Sequence, residues 1–359
     1  MQQLHSMRRP CAALALAASL GGFAGGSGAT VPDMLERPST ISAKASGAVL
    51  LAVTRAGDRL LAVGERGIII YSDDNGAHWS QAGAPVSVSL TGACFASATV
   101  GWAVGHSGVV LRSVDGGKTW ARQFDGKQAA QRVLAQAQLS GSASSTSAAR
   151  RMVDDGADKP FLDVLCLSEQ RAIVVGAYGL ILETVDGGRN WTSLMERIGD
   201  ARGRHLYSIV ALPDKGVLVA GEQGALFRSG DDGRSFAALA APYEGTYFRA
   251  AATGARGLLL LGLRGNAYVS DDAGKSWSKS AIPATNSLTG AVSMSGGQWL
   301  VSDESGRLYR SADQGRHFSE VPAVRAAAIS DLRGTADGAV VLAGARGVSR
   351  ISASQIGSN

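Results

Sequence analysis

Short apolar runs separated by glycines and polar turns recur from residue 49 to the end of the chain. Each unit begins with an alternating apolar stretch, as at 49–53, 206–212 and 287–294. A continuous apolar run follows, ending in Gly, then two variable residues, a second Gly and another apolar run. The copies read LAVGERGIIIYS, WAVGHSGVVLRS, VVGAYGLILET, LVAGEQGALFRS, LLGLRGNAYVS, LVSDESGRLYRS and VLAGARGVSRIS, with Ser302 in place of the first Gly in the sixth. Gly adopts positive φ without a Cβ clash, so each copy reads as two antiparallel strands around a tight turn.

Six of the seven units continue into a second motif, Ser/Thr-x-Asp-x-Gly-x-x-Trp/Phe. The copies are SDDNGAHW, SVDGGKTW, TVDGGRNW, SGDDGRSF, SDDAGKSW and SADQGRHF, with their aspartates at Asp74, Asp115, Asp186, Asp231, Asp272 and Asp313. Marked by the motif Gly, the spacings are 41 (Gly76 to Gly117), 71 (Gly117 to Gly188), 45, 41 and 41 (ending at Gly315). An Asp at this place can accept hydrogen bonds from turn N–H groups, the Gly lets the chain reverse, and the aromatic opens the next strand. These aspartates are therefore read as structural, not as ligand sites. Three strands before the Asp box and one after it make a four-stranded unit, which is a propeller blade. The fold expected is all-β: a single seven-bladed β-propeller over 30–359.

The seventh unit ends after three strands, and 36–45 (ERPSTISAKA) is the expected fourth, closing the ring and removing an exposed edge. The long spacing holds an insertion at about 125–160, between the second and third units. There, 128–138 is rich in helix formers with Ala130, Val133, Leu134 and Ala137 on one face, 141–147 reads as flexible, and 148–153 as a second helical turn. Its order is left open. Strand counting puts the insertion on the same face as the Gly-x-x-Gly turns and the Asp boxes on the opposite face.

Composition adds little to this and contradicts none of it. The 359 residues carry 47 Gly and a formal charge of +5, too mild to argue for nucleic acid. The first 29 residues read as a secretory signal: Arg8 and Arg9, an apolar run over 11–23, then small residues. A retained membrane anchor is the alternative. The expected location is the periplasm, with no membrane span after removal of the leader. Cys94 and Cys166 fall on neighbouring innermost strands. Two buried free thiols are expected, because neighbouring innermost strands are judged too far apart for a bridge, although an oxidising compartment permits one.

The candidate partner-binding residues lie in or near the Gly-x-x-Gly turns. Arg66, Arg264 and Arg346 share one position of that motif, and arginine there suits carboxylate recognition or an interface, though solvated turns also carry arginine. Tyr178 and Tyr247, near His205, Tyr207, Tyr243 and Phe248, offer apolar anchor area, with core packing as the alternative. Nothing marks a catalytic pair: Glu65, Glu222, Glu304, Glu244 and Asp163 could face one side, but their spacing singles out none. No metal site or cofactor is expected. Glycoside hydrolysis is retained as the rival reading.

Asp boxes also occur in sialidases, xyloglucan hydrolases and sortilin-type receptors. The Arg-Ile-Pro motif of sialidases is missing here, and xyloglucan hydrolases usually pair two propellers. The segments VGERGIIIYSDDNGAHW, VGHSGVVLRSVDGGKTW, DKPFLDV, VGAYGLILETVDGGRNW and AGEQGALFRSGDDGRSF resemble the photosystem II stability/assembly factor-like family of Asp-box propellers. That resemblance implies a non-catalytic binding protein that docks a membrane-protein partner. In phototrophs the family holds reaction-centre subunits through an arginine-rich surface. The insertion before DKPFLDV is similar to an exported bacterial branch linked to resistance-nodulation-division (RND) exporters, which implies an exporter component as partner.

Overall fold

A computed structural model describes residues 33–200, 202–322 and 326–357. The proposed leader lies outside the described residues. Among these residues seven antiparallel sheets follow one another, six with four strands and the last with three, each built in simple chain order. Their innermost strands are Leu50–Ala56, Leu90–Phe95, Phe161–Cys166, Leu206–Ala211, Tyr247–Ala252, Leu288–Ser293 and Ile329–Gly334. The second strand of the first sheet is buried from Leu60 to Gly64, and those of the other six are buried throughout, because each lies between the strands and faces of its neighbours. Continuous apolar sequence is what such a position requires.

The core is divided among the junctions between sheets. Seven hydrophobic clusters occur among the described residues, one for each adjacent pair, including Leu50, Val53 and Leu60 of the first sheet against Val341 and Ala343 of the last. Polar bonds between innermost strands reinforce the packing. Asp163 accepts the Ile209 N–H at 3.0 Å, Ser208 accepts the Ala250 N–H at 3.1 Å, and Asp331 accepts the Val53 N–H at 3.1 Å. All three acceptors are third residues of their innermost strands and all three donors are fourth residues of the next. Thr91 and Thr289 donate instead from the second position, to the carbonyls of Phe161 and Ile329 at 2.7 Å.

Four sequence expectations need correction. The segment 36–45 forms no strand on the seventh sheet. It runs beside the outer strand of the first, where Ser39 N–H donates to the Ala84 carbonyl at 2.9 Å and Ser42 N–H donates to the Gln81 side chain at 2.8 Å. Pro38 has no N–H to give a ladder, and the Gln81 side chain, which also donates to the Thr40 carbonyl, captures the backbone on the other side. The last sheet therefore meets the first without a shared strand. Next, the first-Gly position of the sixth turn belongs to Asp303, not Ser302, since Leu288 pairs with Asp303 as Leu50 pairs with Gly64.

Third, Cys94 and Cys166 are joined in a disulfide, with Cα atoms 5.8 Å apart. Innermost strands converge toward the common centre, which brings these two within the roughly 4.4–6.8 Å that a bridge needs. Fourth, the stretch 141–147 is mostly helical. The insertion folds as α1 (Gly126–Ser140) and α2 (Ala143–Asp155). Asp125 caps α1 by accepting the N–H groups of Lys127 and Gln128, and Ser142 caps α2 by accepting that of Ser145. Ala129, Val133 and Ala137 are buried in the cluster between the second and third sheets, and Ala130 is buried as well. The start of α1 sits on the turn of the second sheet so closely that a Cβ on Gly108 would lie 2.5 Å from the Gly126 Cα.

The bridge closes a span of 72 residues that contains both helices, so its loss should matter. Replacing both cysteines by serine should lower unfolding stability by about 2–4 kcal/mol. Urea unfolding of the oxidised, reduced and doubly substituted protein checks this; equal midpoints for all three would count against the bridge.

Candidate functional site

The Gly-x-x-Gly turns present one row of side chains. In five sheets the second variable residue is left-handed: Arg66, Ser107, Tyr178, Gln223 and Arg264 have φ between 50° and 57°. Such a conformation costs a non-glycine residue about 1 kcal/mol or more. Because it recurs in five sheets, it belongs to the turn design rather than to one site. Its effect is to lift the side chain away from the sheet. Arg66 and Arg264 are exposed, and Tyr178 is 52% exposed. Arg346 is exposed as well, but in a tighter two-residue turn in which Gly344 pairs directly with Gly347. None of these three arginines makes a salt bridge or a side-chain hydrogen bond among the described residues.

Tyr247 does not belong to this surface. It is 0% exposed, its hydroxyl donates to the Tyr243 carbonyl at 2.8 Å and accepts the Tyr243 N–H at 3.0 Å, and burial raises its pKa. It is the first residue of an innermost strand, a position that points into the core in every sheet, as Leu50, Leu90, Phe161, Leu206, Leu288 and Ile329 do. Comparing the repeats at that position would reveal this from sequence.

An aromatic row runs inward from Tyr178. Ring centroids are 5.0 Å apart for Tyr178 and His205, 6.3 Å for His205 and Tyr207, and 5.4 Å for Tyr207 and Phe248. The Lys159 ammonium lies 5.1 Å from the centre of the Tyr178 ring, held by Asp155 and Asp158 at the end of the insertion. The insertion thus helps to shape this part of the face.

The turn glutamates have internal duties. Glu65 accepts the Val49 N–H at 3.0 Å, Glu222 the His205 N–H at 2.9 Å, and Glu304 the Ser287 N–H at 3.1 Å. Each ties a turn to the start of its own innermost strand.

The aromatic row ends at a cavity of about 980 Å³ lined by all seven innermost strands. Its charged lining includes Arg55, Asp163, Arg249, Glu304, Asp331 and Arg333. Asp331 holds Arg249 at 2.9 Å, and this charge, against the opposing effect of burial, raises the Arg249 pKa. Burial raises the Asp163 pKa, against the pull of Arg249. Of these strand residues, Asp163 is the one named from sequence, as one of five acids of which none is singled out. The signal that would find the others is an ionisable residue at the third or fifth place of an otherwise apolar innermost strand: Arg249, Asp331, Arg333.

The opposite face carries the Asp boxes. In all six, one carboxylate oxygen accepts the Ser or Thr hydroxyl two residues before and an N–H four residues after, and the other accepts from a side chain four residues after. Bonds from the Asn190 backbone and side chain hold the Asp186 carboxyl at about 2. Asp74, Asp231 and Asp272 are lowered by the same kind of bonds; in Asp115 and Asp313 burial works the other way and the bonds outweigh it. A carboxylate with a depressed folded pKa stabilises fully above its unfolded value, near 3.8, and stops doing so as pH falls through the folded value. Unfolding should therefore steepen between about pH 4 and pH 2, and circular dichroism against pH will show it. Changing Asp186 to Asn should flatten that limb; an unchanged profile would refute the assignment.

The family model of the photosynthesis system II assembly factor YCF48 matches residues 142–349. Among solved structures, YCF48 bound to a D1 peptide superposes with a TM-score of 0.65 at 15% identity, covering 88% of this chain and 95% of that one. YCF48 from Cyanidioschyzon merolae gives 0.65 at 16% identity, with 88% and 98% covered. A GH74 xyloglucanase from Xanthomonas campestris gives 0.59 at 14% identity, with 88% and 53% covered. At these identities the likeness is one of fold, that of a β-propeller. No curated protein sequence matches the chain.

Proposed function

Since the chain belongs to the photosynthesis system II assembly factor YCF48 family, we propose that it is a non-catalytic assembly factor whose Gly-x-x-Gly face docks a membrane-protein partner. In this reading the seven sheets form a closed seven-bladed propeller over 30–359, exported to the periplasm by a leader at 1–29. The partner is a component of an RND-type exporter, in keeping with the insertion before DKPFLDV. The observation that carries the reading is the set of exposed Arg66, Arg264 and Arg346, with no partner among the described residues, on the face where Tyr178 is also exposed. Rigid turns on a fixed scaffold can offer such groups without loss of fold. The relative whose structure holds a D1 peptide supports a polypeptide partner by analogy only.

Glycoside hydrolysis has one observation in its favour: Asp163, with its raised pKa, and Asp331 line the same cavity. Against it, both oxygens of each carboxylate already accept wall groups. Asp163 takes the Val164 and Ile209 N–H groups, and Asp331 takes those of Leu332 and Val53. Docking accounts for more of the face than hydrolysis does.

The combined Arg66→Ala, Arg264→Ala and Arg346→Ala variant should lose most partner recovery from native membranes, each arginine contributing about 1–2 kcal/mol if the contact is desolvated. Tyr178→Ala should weaken capture without changing the melting temperature, since the ring is exposed. Recovery equal to wild type in the triple variant, with the fold intact, would remove this face from consideration. Release of reducing ends from xyloglucan by the purified protein would favour the rival reading.

A further inference from the structure

Acids and arginines in the axial cavity are unequally occupied. Every acidic side chain in the lining is committed to the wall: Asp163 and Asp331 as described, and Glu304, exposed at the turn end, to the Ser287 N–H. The arginines are not. The exposed side chain of Arg333 has neither a salt bridge nor a hydrogen bond among the described residues. Arg249 gives one terminal nitrogen to Asp331, while its Nε is buried without a partner. Among the described residues the Arg55 side chain bonds only the Gly57 carbonyl and the almost fully exposed Asp58.

These groups share one electrostatic neighbourhood. Burial and the nearby Arg249 and Arg55 lower the Arg333 pKa, with Asp331 and Asp163 opposing. Arg333 is exposed, so water rather than the wall serves its N–H groups, whereas the Arg249 Nε is buried without an acceptor, which is unfavourable. An oxyanion would supply the acceptor that the wall does not.

We propose that the axial cavity is a carboxylate-binding site formed by Arg249 and Arg333, with Arg55 at its rim. Deep in the cavity Arg249 and Arg333 face Asp163 and Asp331, while Arg55 at the rim bonds Asp58 and Glu304 lies exposed at the turn end, so the lining is balanced in charge and a monoanion would be held by the free N–H groups of the arginines. A phosphate dianion would leave excess negative charge beside Asp163. Arginine matches the planar carboxylate through paired N–H donors. A volume of about 980 Å³ leaves room for more than the carboxylate itself. The proposal concerns the cavity, not the exposed arginines of the turn face, so failed partner capture by the triple variant leaves it standing.

The test is calorimetric titration of the full chain at low salt with acetate, inorganic phosphate, and trialanine with a free or amidated C-terminus. Saturable binding of acetate or of free trialanine, and none of amidated trialanine, is expected. Trialanine binding more tightly than acetate would identify a peptide terminus as the source, and the reverse a free acid. Arg333→Met should weaken binding at least tenfold and Arg66→Ala should leave it unchanged. Arg55→Met, further from the Asp331 pair, should give a smaller loss. If Arg333→Met does not fold, by circular dichroism, the free-versus-amidated comparison on the wild type decides alone. Absence of saturation with both carboxylates, equal binding of the two trialanines, tighter binding of phosphate, or wild-type affinity in a folded Arg333→Met would each overturn the proposal.

Discussion

The hydrogen bond from the Val53 N–H to Asp331 joins the last sheet to the first, and the architecture depends on bonds of this kind. No strand is shared at that junction, so side chains must make the connection that a ladder would otherwise make. A backbone N–H left unpaired at a buried strand costs about 1–3 kcal/mol. The third residue of an innermost strand meets that need for the next sheet, as Asp163 and Ser208 do elsewhere. Apolar packing of Leu50 and Val53 against Val341 and Ala343 then excludes water from the same junction.

The two faces divide the work. On one, the Asp boxes close tight turns with carboxylates whose oxygens are fully occupied, which leaves little for a ligand. On the other, turn glutamates such as Glu65 and Glu222 secure the turns from below while the second residue is lifted outward. Fixing the backbone with one residue frees its neighbour, which is how Arg66 and Gln223 come to be exposed on rigid supports. Inside, the same economy places acids in the walls and leaves arginines facing the cavity.

Position within the repeat decides which sequence expectations hold residue by residue. Tyr247 resembles a surface aromatic by its neighbours in sequence, yet its place as first residue of an innermost strand commits it to the core. Cys94 and Cys166 lie in units separated by the longest insertion, and their closeness comes from the convergence of strands about a common centre. Strand counting assigns residues 36–45 to the last sheet, but Pro38 and the Gln81 side chain hold 39–42 beside the first, and Ala45 alone of the segment packs in the cluster shared with the last. Asp303, not Ser302, holds the turn position of the sixth unit, and the sequence hides this because that unit lacks the glycine that marks the turn.

Seven strand-turn units and six Asp boxes are local features of sequence, because each box is satisfied by bonds within about four residues and each hairpin by its turn residues, glycines except for Asp303 in the sixth. The strand units, their order along the chain and the turns that carry Arg66 and Arg264 are therefore legible in the sequence itself. Tertiary structure alone decided what lies between units: the disulfide, the path of 36–45, the pairing of Asp331 with Val53 and Arg249, and the burial of Tyr247. These depend on distances between residues tens to hundreds of positions apart, fixed only when seven sheets pack about one cavity. No repeat period records that geometry.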